Sequence, residues 1–127
     1  HFYGCVDEVC KVEQLAGADL LVLPSDRCNE AFGIVQLEAM AAGIPALAFQ
    51  RYRSGMGWVA QLPALVWDQT PEALPAVLNR LAEDRLLLTK LGDQSRQRYK
   101  QVFARGNWIQ QLSELLPLGA ESKGSGR

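Results

Sequence analysis

The residues best suited to chemistry lie in one stretch, Pro24 to Glu38. Glu30 and Glu38 bracket a Phe32-Gly33 turn that leads from an apolar run into a helical one. Gly33 lets the backbone approach a ligand closely, and the N–H groups of Phe32, Gly33, Ile34 and Val35 fall at a helix start. There the first-turn donors have no intrahelical partner and the helix dipole favours an anion such as phosphate. At about 100° per residue, Glu38 projects beside Ile34, Ala41 and Ala42, with Gln36 and Met40 on the opposite side. A carboxylate on a small, apolar face costs about 2 kcal/mol or more if it is dry and unpaired. It therefore either meets a cation or donor inside the fold, such as a core arginine, or lines a pocket and accepts from ligand hydroxyls, as ribose hydroxyls would allow. Glu30, in the loop, is placed either to accept from the hydroxyls of a sugar near the phosphates or simply to face solvent as a loop acid.

The elements that must position these groups alternate. Phe2-Tyr3 reads as the end of a strand. Asp7 caps a helix through Ala16, with Val9, Val12, Leu15 and Ala16 near one face. Asp19 to Pro24 reads as an apolar strand of the kind buried on both faces of a parallel sheet. A helix over Phe32 to Ala42 is ended by Gly43 in a left-handed conformation and by Pro45. Ala46 to Phe49 is the next strand, Gln50 to Gln61 a basic, glycine-containing loop, and Leu65 to Trp67 a further strand.

Thr70-Pro71-Glu72 starts a helix with a capping hydroxyl, an early proline and an acid at the positive end of the dipole. That helix has Leu74, Val77, Leu78 and Leu81 on its core face. Further helices are expected over Arg85 to Phe103 and, capped by Asn107, over Trp108 to Leu116. This order is that of a doubly wound α/β domain with four or five strands at most.

Composition narrows the class. The chain has 127 residues, 48% of them hydrophobic, with 13 basic residues against 14 acidic ones. That size favours one domain, and no positive excess points to nucleic acid or to an anionic membrane as the main partner. Weak peripheral membrane contact stays open. The longest apolar stretch, Ala39 to Phe49, is broken by Gly43 and Pro45 and is too short to span a bilayer. No leader pattern follows His1. Cys5, Cys10 and Cys28 lack paired spacing, so neither a zinc site nor a disulfide framework is expected, and the set suits a reducing compartment.

Gly55 to Ala60 formally fits a G-x-G-x-x-A dinucleotide pattern. It does not directly follow a strand and Pro63 comes soon after, so it is read as a decoy. Trp58, Trp67 and Trp108 are read as packing residues, with the loop residue Trp58 the weakest case of the three.

Taken together, Pro24-Ser25, Glu30-Ala31-Phe32-Gly33 and Leu37-Glu38-Ala39-Met40-Ala41-Ala42-Gly43-Ile44-Pro45 resemble the E-x7-E region of retaining GT-B glycosyltransferases, especially glycosyltransferase family 4. His1 to Gly4 and Ala18 to Leu23 extend the likeness, which is close over residues 1–50 and loose beyond. The resemblance implies a Rossmann-like parallel sheet with flanking helices, here the C-terminal, donor-binding domain over residues 1–117, followed by a disordered tail at 118–127. It implies a hexosyltransferase-like enzyme that moves a sugar from a nucleotide diphosphate sugar to a glycan, lipid or small-molecule acceptor, with retention of configuration and no obligatory metal or other cofactor.

By the same resemblance, Glu30 lies against the donor sugar as the catalytic-site glutamate. Ala31, Phe32, Gly33, Ile34 and Val35 form the turn that meets sugar and diphosphate, and Glu38 holds the ribose. Departures are equally plain. The family's arginine- and lysine-bearing strand-helix unit and its N-terminal domain would precede His1. Ser54-Gly55-Met56-Gly57-Trp58-Val59 stands where a Gly-Gly-x-x-Glu loop is usual, with Arg51 and Arg53 as the nearby charges. The isolated chain is therefore expected to be inactive. The alternative reading is a non-catalytic nucleotide-sugar-binding half that needs a partner chain or domain. The expected location is cytoplasmic, with the inner face of the membrane as an option for the full-length protein.

Overall fold

A computed structural model describes residues 1–25, 32–49, 55–62, 67 and 70–116. Its centre is a β-α-β unit. Strand β1 (Leu21–Leu23) leads through helix α2 (Ile34–Ala42) to strand β2 (Ala46–Ala48), and the strands pair in parallel with Leu21 opposite Ala46 and Leu23 opposite Ala48. Before it comes helix α1 (Glu8–Ala16), and after it come α3 (Met56–Ala60), α4 (Leu74–Glu83), α5 (Arg85–Arg98) and α6 (Arg105–Leu115).

The period-two alternation of a strand sorts the core into two layers. Leu47 and Phe49 pack on one face with Trp67, Leu81, Leu88 and Leu91, and Val22 leans against them. Ala46 and Ala48 point the other way, into a cluster of Met40, Met56, Val59 and Ala60 flanked by Leu21, Leu23 and Leu37. Helices thus cover both faces of the sheet, as expected of an α/β domain. Fully burying a side chain such as Leu47 or Leu91 contributes about 1.5–3 kcal/mol. The face of α4 carrying Leu74, Val77, Leu78 and Leu81 packs on the first layer, as its spacing predicts.

Local chemistry sets the helix ends. Asp7 Oδ1 accepts from Cys10 N at 2.8 Å and Asp84 Oδ1 from Leu87 N at 2.8 Å, so both acids cap helices, the second unanticipated. Gly43 closes α2 at φ 81°, the left-handed conformation expected of it, and its N–H and that of Ile44 bond back to Met40 O and Ala39 O. Arg96 of α5 adds a cation there, donating from Nη2 to Ala42 O at 2.7 Å. Gly92 of α5 meets Gly43 so closely that a Cβ at 92 would collide with the Gly43 carbonyl oxygen.

Several expectations are corrected. Phe2-Tyr3 forms no strand among the described residues, and both side chains are exposed. β1 is only half-buried because it pairs with β2 alone within the described sheet, whereas β2 is buried throughout. Val9 and Val12 of α1 face solvent rather than a core. The end of the expected loop is helical, as α3, with Gly57 inside the helix.

Thr70 uses its backbone carbonyl, which accepts from Ala73 N and from Trp67 Nε1, in a 3-10 turn over Pro71–Ala73 ahead of α4. The helix expected to Phe103 continues past α5 as a π turn over Tyr99–Phe103. Asn107 does not cap α6, which begins two residues earlier; its Nδ2 donates to Lys100 O instead. Trp67 is buried edge-on to Phe49 and the half-exposed Trp58 packs against Phe32 and Phe103, as packing residues would, whereas Trp108 is exposed. The expected strand over Leu65 to Trp67 falls largely outside the described residues, as does the tail from residue 117.

Candidate functional site

The site lies where both strands deliver the chain to helix starts, the carboxyl edge of the sheet, which is where open α/β sheets take ligands. After β1 the chain reaches Phe32 and then Gly33, which caps α2 at φ 67°. A Cβ at Gly33 would stand 2.7 Å from Leu23 Cδ2 and 2.9 Å from Gln36 Nε2, so both the backbone angle and the space call for glycine. Ile34 and Val35 open the helix, and as its first residues their N–H groups have no intrahelical carbonyl to meet. Ile34 is 70% exposed. The expected turn residues Phe32, Gly33, Ile34 and Val35 therefore stand together at one helix N-terminus. Glu30 and Ala31 lie outside the described residues, as do Cys28, Arg51 and Arg53.

Glu38 sits one turn deeper in α2, on the side of Ile34, Ala41 and Ala42 as the helical geometry predicts. The burial is the reverse of what those small residues suggest. Their face is the outer one, while Gln36 and Met40 on the opposite face are buried in the second core layer. Glu38 keeps a 39% exposed side chain and meets a cation: Lys11 Nζ of α1 donates to its Oε1 at 3.1 Å. The partner is a lysine at the surface, not a core arginine. Lys11 also reaches Glu8 Oε2 at 2.8 Å. Hydrogen bonds to Glu8 and then Glu38 hold the Lys11 ammonium above its ordinary 10.5, outweighing the opposing desolvation. An apolar cleft of about 270 Å³ opens between the helices, lined by Lys11, Val12, Leu15, Glu38 and Ala42. Glu38 is thus paired with a cation, and it also lines this cleft.

Gln36 was not anticipated. It is fully buried; its Nε2 donates to Phe32 O at 3.0 Å, bracing the turn, and its Oε1 has no hydrogen-bond partner among the described residues. A lone glutamine among Ile34, Val35, Leu37 and Met40 was the available signal. Across the turn, the ring of Phe32 lies 5.9 Å from that of Phe103 and 6.5 Å from that of Trp58. Cys5 and Cys10 are free thiols. Among the described residues, no three His, Cys, Asp or Glu side chains gather to hold a metal, and no helix is long and apolar enough to cross a membrane.

Two parallel strands feeding helix starts at one edge, between helical layers, define an α/β domain. The chain belongs to the family described as Glycosyl transferases group 1, which matches residues 1–98, and its fold is accordingly of GT-B type. Among curated proteins it is similar to an MMP alpha-(1->4)-mannosyltransferase of Mycolicibacterium hassiacum, 35% identical over 71% of this chain and 22% of that protein. A D-inositol 3-phosphate glycosyltransferase of Streptomyces avermitilis is 38% identical over 63% of the chain and 18% of its own length. An exopolysaccharide phosphotransferase of Streptomyces coelicolor is 33% identical over 81% of the chain and 11% of its own length. The chain thus spans less than a quarter of each of these relatives. No solved structure matches it.

Proposed function

We propose that this chain supplies part of the donor site of a retaining glycosyltransferase of family 4, which moves a sugar from a nucleotide diphosphate sugar to an acceptor. The reading rests on one conjunction: membership of the group 1 glycosyltransferases, together with a glycine-capped helix start at the carboxyl edge of a parallel sheet. In it, the N–H groups of Ile34 and Val35 receive the diphosphate, with the α2 dipole stabilising the charge that grows on the leaving group. Glu38 accepts from the ribose hydroxyls, and Lys11 holds its carboxylate in place. Glu30 sits against the donor sugar. The donor needs no obligatory metal in this scheme, and the acceptor site is supplied by a further domain of the full-length protein, which works in the cytoplasm.

Calorimetry of the full-length protein with UDP-, GDP- and ADP-sugars tests this, followed by NMR of the product's anomeric centre. Binding of one donor and transfer with retained configuration are expected. Failure to bind any nucleotide sugar sinks the proposal, and an inverted product removes the retaining assignment. Donor binding without transfer in the full-length protein would favour a non-catalytic binding half. The isolated 127-residue chain is expected to transfer little or nothing, and robust transfer by it alone would overturn the need for further segments.

A further inference from the structure

Trp58 is an exposed aromatic side chain on α3, the helix that follows β2, and it is held in place from below. Its side chain belongs to α3, which follows β2 just as the Phe32-Gly33 turn follows β1. The residue is 52% exposed, yet its indole has little freedom. The Phe103 ring meets it edge-on at 5.3 Å, and the Arg98 guanidinium stacks over it at 5.6 Å from the ring centroid. Arg98 is itself tied down, donating from Nη2 to Trp58 O at 2.6 Å and from Nε to Val59 O at 3.1 Å. An indole fixed in this way loses little conformational entropy when a ligand lies on it.

Its position relative to α2 indicates the ligand. Glu38 and α1 lie on one side of the α2 N-terminus, while Phe32, Trp58 and α3 lie on the other. With a diphosphate at Ile34 and Val35 and a ribose at Glu38, the nucleoside occupies the α1 side. What remains for the α3 side is the group beyond the second phosphate, a sugar. A pyranose presents a face of C–H bonds with slight positive charge, and the indole face carries the complementary negative charge of its quadrupole.

We propose that Trp58 is a stacking platform for a pyranose ring of the substrate, resting on the donor-site reading above. The ring belongs either to the donor's sugar or to an acceptor sugar brought against it, since both present the same C–H face. The full-length protein is compared with its Trp58→Leu variant, which keeps apolar bulk but loses the π face, and with Trp58→Phe. The probes are UDP-glucose, GDP-mannose and ADP-glucose, each against its free nucleoside diphosphate.

With the donor sugar on the platform, Trp58→Leu weakens the nucleotide sugar by about fivefold to tenfold, leaves the free diphosphate within about twofold, and Trp58→Phe recovers most of the loss. With an acceptor sugar there, the acceptor KM rises by a similar factor at unchanged donor affinity. Unchanged donor affinity and acceptor KM in a folded Trp58→Leu protein overturns the platform. So does an equal loss for nucleotide sugar and free diphosphate. A Glu38→Ala variant measured alongside separates the two ideas: if it loses free diphosphate affinity while Trp58→Leu changes nothing, only the platform fails. If the wild type binds none of the probes, both fail.

Discussion

Lys11 Nζ lies 3.1 Å from Glu38 Oε1, across the gap between α1 and α2, and this contact ties a cation of α1 to the proposed ribose ligand. Glu38→Ala in the full-length protein is expected to weaken nucleotide binding by about tenfold or more, since a hydrogen bond to a charged group is worth about 1.5–3 kcal/mol. Lys11→Met is expected to weaken it less, because the carboxylate remains but loses its anchor. Calorimetry with the free nucleoside diphosphate measures both, and equal affinity of wild type and Glu38→Ala would remove Glu38 from the site.

The same contact sets a pH dependence. Because the folded-state pKa of Lys11 is raised above 10.5, its contribution to stability is fully present below 10.5 and is lost as pH rises through the higher folded value. Denaturant melts of wild type and Lys11→Met are therefore expected to differ by a small, salt-sensitive amount at neutral pH and to converge in strongly alkaline solution. A gap that widens with alkaline pH would contradict the pairing.

Gly33→Ala should cost about 2 kcal/mol or more, combining a left-handed backbone angle with a Cβ pressed against Leu23 and Gln36. Thermal denaturation reads the loss. A neutral effect would mean that the turn relaxes freely.

Gly92→Ala reverses the usual sign. Alanine is the better helix former by about 1 kcal/mol, yet here its Cβ meets the Gly43 carbonyl oxygen, and overpacking of this kind costs about 1–3 kcal/mol. A net loss of stability is expected in a chemical melt, and a gain would show that α2 and α5 can part without penalty.

Gln36→Leu exchanges one hydrogen bond, worth about 1 kcal/mol, for the removal of a buried acceptor that costs about 1–3 kcal/mol unpaired. The variant should be as stable as wild type or slightly more so, whereas Gln36→Glu, which buries a charge beside Phe32 O, should lose several kcal/mol. The order of the two midpoints is the test.

The sequence carried α1 and the β-α-β unit clearly, because Asp7 at the first and Gly43 and Pro45 in the second act through local backbone chemistry that needs no tertiary context. It carried the grouping of Phe32 to Val35 for the same reason. The burial of α2 was misjudged because Ala41, Ala42 and Ile34 look like a core face, while the true core face includes a glutamine. Small residues fit an interior but do not require one, and Gln36 is tolerated inside because Phe32 O takes its amide. The ends of α5 and α6 depended on a π turn that no periodicity marks. Lys11, Arg96 and Arg98 were illegible as partners because their contacts join segments remote along the chain.

That remoteness has a consequence for how the molecule comes into being. Arg96 reaches back 54 residues to Ala42, and Arg98 reaches back 40 residues to Trp58. During synthesis the β-α-β unit leaves the ribosome well before the segment that fastens α2 and α3. At about 5–20 residues per second, the nascent chain spends several seconds with those helix ends untied. The sheet edge that is to receive a ligand is then assembled only when α5 folds back, so slow or interrupted translation between α3 and α5 would expose the apolar second layer to chaperones and to neighbouring chains.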